Sequence, residues 1–199
     1  MVQAPTQPET LLLELPLDLQ LSVSLAQFAV LAASNRELQL ERTAKGELVV
    51  NPPTGWETGK RNFALIGQLY RWHEEYQQGE AFDSSAGFTL PNGAIRSPDV
   101  CWVSPGRWGA LTAEQRGTFP QVCPDFVVEL RSPSDRLPLV QAKMREYVEN
   151  GAQLGWLIDP QNRVVEIYRV GLAVEVLANP AELSGEGVLP GFVLDLGRV

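Results

Sequence analysis

Hydrophobic and polar positions alternate along this chain with two periods, one near 3.6 residues and one of 2, and the changes between them mark out its elements. In SVSLAQFAVLAASN the apolar residues recur at helical spacing behind Ser22 or Ser24 as a cap, which predicts a first helix. RELQLER, TAKG and ELVVNPP read as a β-hairpin with Gly46 in the turn. GWETGKRNFALIGQLYRWHEEYQQG predicts a long amphipathic helix that starts near residues 54–57 and stops at Gly79. Phe63, Ile66, Leu69, Tyr70 and His73 fall toward one side of it, with His73 as a surface or boundary histidine. Three strands follow, in EAFDSS, GFTLPNG and RSPDVCWVS, and then a connection over 105–124 with a short helical turn or two. DFVVELRSPSD opens with period-two alternation and predicts a strand. LPLVQAKMREYVENG predicts a helix closed by Gly151. LGWLIDP, RVVEIYRV, LAVEVLAN and GFVLDL predict the final strands, with DPQNR as turn chemistry. Strands and helices alternate through the middle and strands dominate the end. The expected fold is therefore a mixed β-sheet flanked by helices, an α/β or α+β domain.

Composition adds bounds. A chain of 199 residues, 44% hydrophobic and 20% charged, suits one globular domain, expected over 16–199 behind a loose tail at 1–15. No run approaches the ~18 apolar residues of a membrane span, and MVQAPTQPET lacks the features of a secretory signal. Cys101 and Cys123 form no CxxC pair, so they read as small core residues rather than a disulfide framework or zinc cluster, and a reducing cytoplasmic setting is expected. The net charge of −8 excludes a protein that coats nucleic acid nonspecifically through basic surface. It leaves room for a nucleic acid met at a local site where a divalent metal supplies the positive charge.

Glu129 lies in the middle of the strand in DFVVELRSPSD, where a carboxylate needs a partner. Asp99 closes RSPD just before another apolar run. If the two strands are neighbours, the acids can converge into an oxygen-rich site for Mg²⁺ or Mn²⁺. On the following helix Leu139, Lys143 and Tyr147 are successive i, i+4 neighbours, which puts Lys143 inside the apolar arc. An ammonium beside a metal and a phosphate suits phosphodiester hydrolysis. Each residue also has a plain structural reading. Asp99 can be a turn carboxylate, Glu129 can pair with Arg131, Arg96 or Lys143, and Lys143 can snorkel to solvent. Ser132 and Ser134 are placed to cap the helix after Asp135, and the five tryptophans read as packing residues. Trp108 and Arg107 are placed in a loop, where base stacking is conceivable.

SPD, PDFVVELRSPSD, QAKMREYVENGA and GWLIDP, in that order, resemble the Uma-type "putative restriction endonuclease" family within the PD-(D/E)xK nuclease superfamily, from about Gly55 to Tyr168. The resemblance implies a restriction-endonuclease-like fold and a metal-dependent endonuclease acting on DNA with Mg²⁺ or Mn²⁺. Asp99 would match the motif aspartate and Glu129 the acid of (D/E)xK, both as metal ligands. Glu57 on the long helix is the candidate for a further acid, although an acid at a helix start is also favoured by the dipole. The lysine expected two residues after Glu129 is Arg131, a poor substitute for a tunable amine. Lys143 is the candidate for a lysine that has moved to the next element, whereas Gln141, about 160° away on the wheel, is not expected in the site. Nuclease-like folds often pair, so a homodimer is expected. The alternative is a nuclease-like fold that no longer cuts and serves as a nucleic-acid-binding or assembly module.

Overall fold

Three strands, over 100–103, 126–130 and 154–159, form the middle of the molecule, buried along their whole length because their sequences are apolar enough to be covered on both faces. The computed structural model describes residues 20–199, so the expected tail at 1–15 lies outside the described residues. Helix α1 (Leu25–Ser34) is capped by Ser24, reciprocally with Gln27. Strands β1 (Gln39–Arg42) and β2 (Leu48–Asn51) make the expected hairpin. Helix α2 (Trp56–Tyr76) leads into β3 (Glu80–Asp83), β4 (Phe88–Thr89), β5 (Ile95–Arg96) and β6 (Val100–Val103). Two short helices, α3 (Pro105–Gly109) and α4 (Ala113–Arg116), occupy the expected connection. Then come β7 (Phe126–Leu130), α5 (Leu137–Glu149), β8 (Leu154–Asp159), β9 (Val164–Arg169) and β10 (Glu175–Ala178). The hairpin of β11 (Glu182–Ser184) and β12 (Val193–Asp195) and a final 3-10 turn end the chain; β11 has no counterpart in the sequence reading.

The strands divide among three sheets. The largest has the order β10-β9-β8-β7-β6-β3, a second is β2-β1-β5-β4, and β11-β12 stands apart. Within the large sheet only β7 and β8 are parallel, and α5 is their crossover. RSPDVCWVS, expected as one strand, is two: β5 belongs to the smaller sheet and β6 to the larger. Pro98 cannot donate to a ladder, and the break it makes leaves Asp99 on the seam between the sheets.

Each face of the large sheet has its own core. On one side Leu65, Leu69 and Trp72 of α2 pack with Val100, Trp102, Phe126, Val128 and Trp156, closed by Leu183 and Phe192 of the C-terminal hairpin. On the other side Met144 and Tyr147 of α5 pack with Cys101, Val127 and Leu157, and with Phe88 and Leu90 from the β4 region. Fully burying one such large side chain contributes about 1.5–3 kcal/mol, so these two layers dominate stability. Strand alternation then fixes the position of Glu129: it follows Val127 onto the α5 side.

Several local expectations are corrected. The buried side of α2 is Thr58, Leu65, Leu69 and Trp72, about 140° round the helix from the side that carries Phe63 and Tyr70; both of these are exposed. The helix ends at Tyr76 on a left-handed Gln77 rather than at Gly79. Gly79 (φ +70) is needed two residues later, where a Cβ would strike the Val103 carbonyl and the Trp102 ring. Gly151 closes α5 as expected, with φ +112. Ser132 and Ser134 do not cap α5. Its N-cap is Arg136 without a side-chain bond, while the two serine hydroxyls meet each other at 2.9 Å. Trp108 lies on α3 and packs on Phe82 under the Arg116 guanidinium, and Arg107 is tied to Asp125, so neither is free to stack on bases. Trp56 is the tryptophan that does not pack.

Candidate active site

The β6–β7 ladder brings the two acids together. Val100 is paired with Val128, so one step outward Asp99 comes beside Glu129. The Leu130 N–H donates to Asp99 Oδ2 at 2.7 Å, which locks the aspartate across the end of β7. Helix α5 then lays two side chains onto Glu129. Lys143 Nζ is 2.8 Å from Glu129 Oε1, and the Tyr147 hydroxyl donates to the same oxygen at 3.1 Å. Glu129 Oε2 has no hydrogen-bond partner among the described residues, and the carboxylate lines a cavity of about 1010 Å³. Asp99, Lys143, Glu41, Arg96 and Glu146 line the same cavity. Its volume is at the top of the range for ligand sites, about 300–1,000 Å³.

Glu41, which the sequence reading did not single out, completes the cluster. It is buried on β1 and reaches Lys143 Nζ at 2.9 Å. It also accepts from the Ser97 N–H at 2.8 Å and pairs with Arg96 at 3.3 Å, and Arg96 in turn holds Glu146 at 2.6 Å. Asn62 of α2 is the second addition. Its amide donates to Asp99 Oδ1 at 3.4 Å, and its own Oδ1 is buried without a partner among the described residues. Neither was visible in sequence, because Glu41 belongs to a hairpin that reads as solvent-facing and Asn62 to an interior turn of a helix. Their partners come from far along the chain. Glu57 stands exposed at the cavity rim, with no ion pair or hydrogen bond to Asp99 or Glu129, so α2 meets the acids through Asn62. Arg131 lies outside the cavity lining, bound at 2.7 Å to Asp159 at the end of β8. Gln141 is likewise taken up, donating to Glu166 at 2.7 Å.

Burial sets the electrostatics. It pushes the Glu129 carboxyl up to about 8, because the opposing pull of Lys143 is partly cancelled by Asp99 and Glu41. Burial also raises Asp99, against the Leu130 N–H and Lys143. For Glu41 burial is outweighed by Lys143 and Arg96, and its carboxyl is lowered. Lys143 is desolvated too, yet the carboxylates of Glu129 and Glu41 raise it, so it stays an ammonium. One cation is thus shared by two acids, and Glu41, with Arg96 as a second partner, is the better compensated. Fully charged, the four inner acids Asp99, Glu41, Glu129 and Glu146 are matched by Lys143 and Arg96, an excess of two negative charges, and Glu47, Glu57, Asp135 and Arg136 elsewhere on the cavity wall do not reduce it.

That excess suits one divalent cation. The available donors are carboxylate and amide oxygens, the hard ligands that Mg²⁺ and Mn²⁺ take. Asp99, Glu129 and the unpaired Asn62 Oδ1 would hold the ion, with the remaining positions left to water and substrate. No group of three or more His, Cys, Asp or Glu able to hold a metal occurs among the described residues, so a cage built wholly from such side chains is not what this site offers.

A family model described as "Uma2: Putative restriction endonuclease" matches residues 25–197. A crystal structure from Anabaena variabilis, described as "a putative nuclease belonging to DUF820", superposes with a TM-score of 0.67 at 21% identity, covering 80% of this chain and 88% of that one. At that identity the likeness concerns the fold. No curated protein matches the chain.

Proposed function

Because the chain belongs to the Uma2 family of restriction-endonuclease-like proteins, we propose that it is a metal-dependent endonuclease that hydrolyses phosphodiester bonds of DNA. The observation that carries this reading is the pair Asp99 and Glu129, side by side at one sheet end with Lys143 at 2.8 Å from Glu129. A divalent ion, Mg²⁺ or Mn²⁺, would supply Lewis acidity toward the phosphoryl oxygen and a lower pKa for the attacking water. Asp99 and Glu129 would hold that ion. Glu129 must first give up its proton, since its carboxyl is raised to about 8. Lys143 keeps its charge and therefore works as a fixed cation, stabilising negative charge that builds on the phosphate. Glu41 is a positioning residue: it holds the ammonium against the sheet from the opposite side. Arg136, at the start of α5 on the cavity wall, is placed for a flanking phosphate.

Two measurements test the reading. With Mg²⁺ or Mn²⁺ the purified chain should nick plasmid DNA, and Glu129→Ala should abolish nicking; equal cleavage by the variant would trace the activity to a contaminant. Calorimetry should show Mn²⁺ binding accompanied by proton release below pH 8, as the Glu129 proton is displaced. Two observations favour a second reading, a fold that binds nucleic acid or assembles without cutting: the ammonium is already engaged by two carboxylates, and Arg131 is locked to Asp159. Absence of Mn²⁺ binding at millimolar metal, with the fold intact, would select it.

A further inference from the structure

Helix α2 turns a face to solvent that the fold of this chain does not explain. Trp56, Phe63 and Tyr70 are 93%, 79% and 59% exposed, and they stand seven residues apart, so they share one stripe. Gly67 lies in the same stripe, and a Cβ built there would meet nothing within 4 Å. Glycine weakens a helix interior relative to alanine, and no neighbour within the described residues requires it here.

The surrounding residues are arranged symmetrically about Gly67. Lys60 precedes it by seven positions and Glu74 follows by seven. Phe63 and Arg71 stand four positions to either side, and Ala64 and Tyr70 three. Lys60, Phe63, Tyr70, Arg71 and Glu74 are all exposed. We propose that this face is a self-association surface on which two copies of the chain pack α2 against α2, antiparallel, with the two-fold axis at Gly67. The axis then sets Lys60 opposite Glu74 of the second copy and the Phe63 ring opposite an Arg71 guanidinium. It also sets Tyr70 over the small Ala64, and each contact occurs twice. The missing side chain at Gly67 lets the backbones approach where they cross. A parallel pair would instead set Lys60 on Lys60 and Glu74 on Glu74, so the charges select the antiparallel arrangement. The proposal does not depend on the nuclease reading.

Sedimentation of the full-length chain tests it. The expected result is a dimer that Lys60→Glu or Glu74→Lys each reduces to monomer, and that the double exchange restores. Gly67→Cys should cross-link to itself under mild oxidation, since Cys101 and Cys123 are buried and do not compete. A monomer at every concentration would overturn the proposal. A dimer indifferent to both charge reversals would overturn it too, and would move the interface to the exposed edge strand β10.

Discussion

The raised carboxyl of Glu129 should be visible in the stability of the protein without metal. The perturbation is Glu129→Gln, which keeps the shape and removes the charge. The folded chain holds the Glu129 proton more tightly than the unfolded chain does, 4.5 being the ordinary value and about 8 the folded one. Stability contributed by this group is therefore fully present below pH 4.5 and lost as pH rises from 4.5 to 8. At about 1.4 kcal/mol per pH unit, the loss across that window is at most about 5 kcal/mol. Glutamine does not titrate, so the variant escapes it. The variant also forfeits the ion pair with Lys143, an effect that offsets part of the gain and leaves the ammonium to Glu41. The quantity to measure is the difference in urea-unfolding free energy between variant and wild type at a series of pH values in a chelating buffer. It should move in favour of the variant by several kcal/mol, on the order of the 5 above, between pH 5 and pH 9. A difference that stays flat over that range would refute the reasoning, because it would mean that Lys143 fully offsets burial and Glu129 is ionised throughout.

Two further expectations concern the cations. Lys143→Met should destabilise the fold by about 3–5 kcal/mol, since it leaves buried Glu41 and Glu129 without their shared partner; denaturant unfolding at pH 9 and pH 7 checks it, with the smaller loss at pH 7, where Glu129 still holds its proton. Arg131→Lys should neither raise metal-dependent nicking nor rescue Lys143→Met, because the side chain at that position is drawn to Asp159 and not to the cavity. Rescue in a plasmid-nicking assay would show that a lysine at position 131 can still reach the site.

Most of the architecture was legible because it is local. Period-two alternation, Gly151 as a helix stop and the long amphipathic run each depend on a few adjacent residues, and the corresponding elements are present. The split of RSPDVCWVS was not legible, since nothing nearby says that Ile95 pairs with β1 while Val100 pairs with β7. The buried side of α2 was misplaced for a related reason: Phe63 and Tyr70 look like core residues on a wheel, and only tertiary packing assigns burial to Leu65 and Trp72 instead. In the site, Glu129 and Lys143 could be singled out because each is a charge within an apolar pattern, and Asp99 because it closes RSPD just before an apolar run. Glu41 carries no such mark. Its place depends on a long-range pairing between two sheets, which a linear pattern does not encode.

The ammonium shared by Glu41 and Glu129 has an evolutionary consequence. Losing Lys143 strands Glu129 and leaves Glu41 to Arg96 alone, and losing Glu41 hands the whole cation to Glu129, whose carboxyl would then ionise more readily. Neither change is neutral by itself, yet the two together roughly cancel in charge. Across descendants of this chain, positions 41 and 143 should therefore drift as a couple, with the hairpin and the crossover helix exchanging substitutions in step.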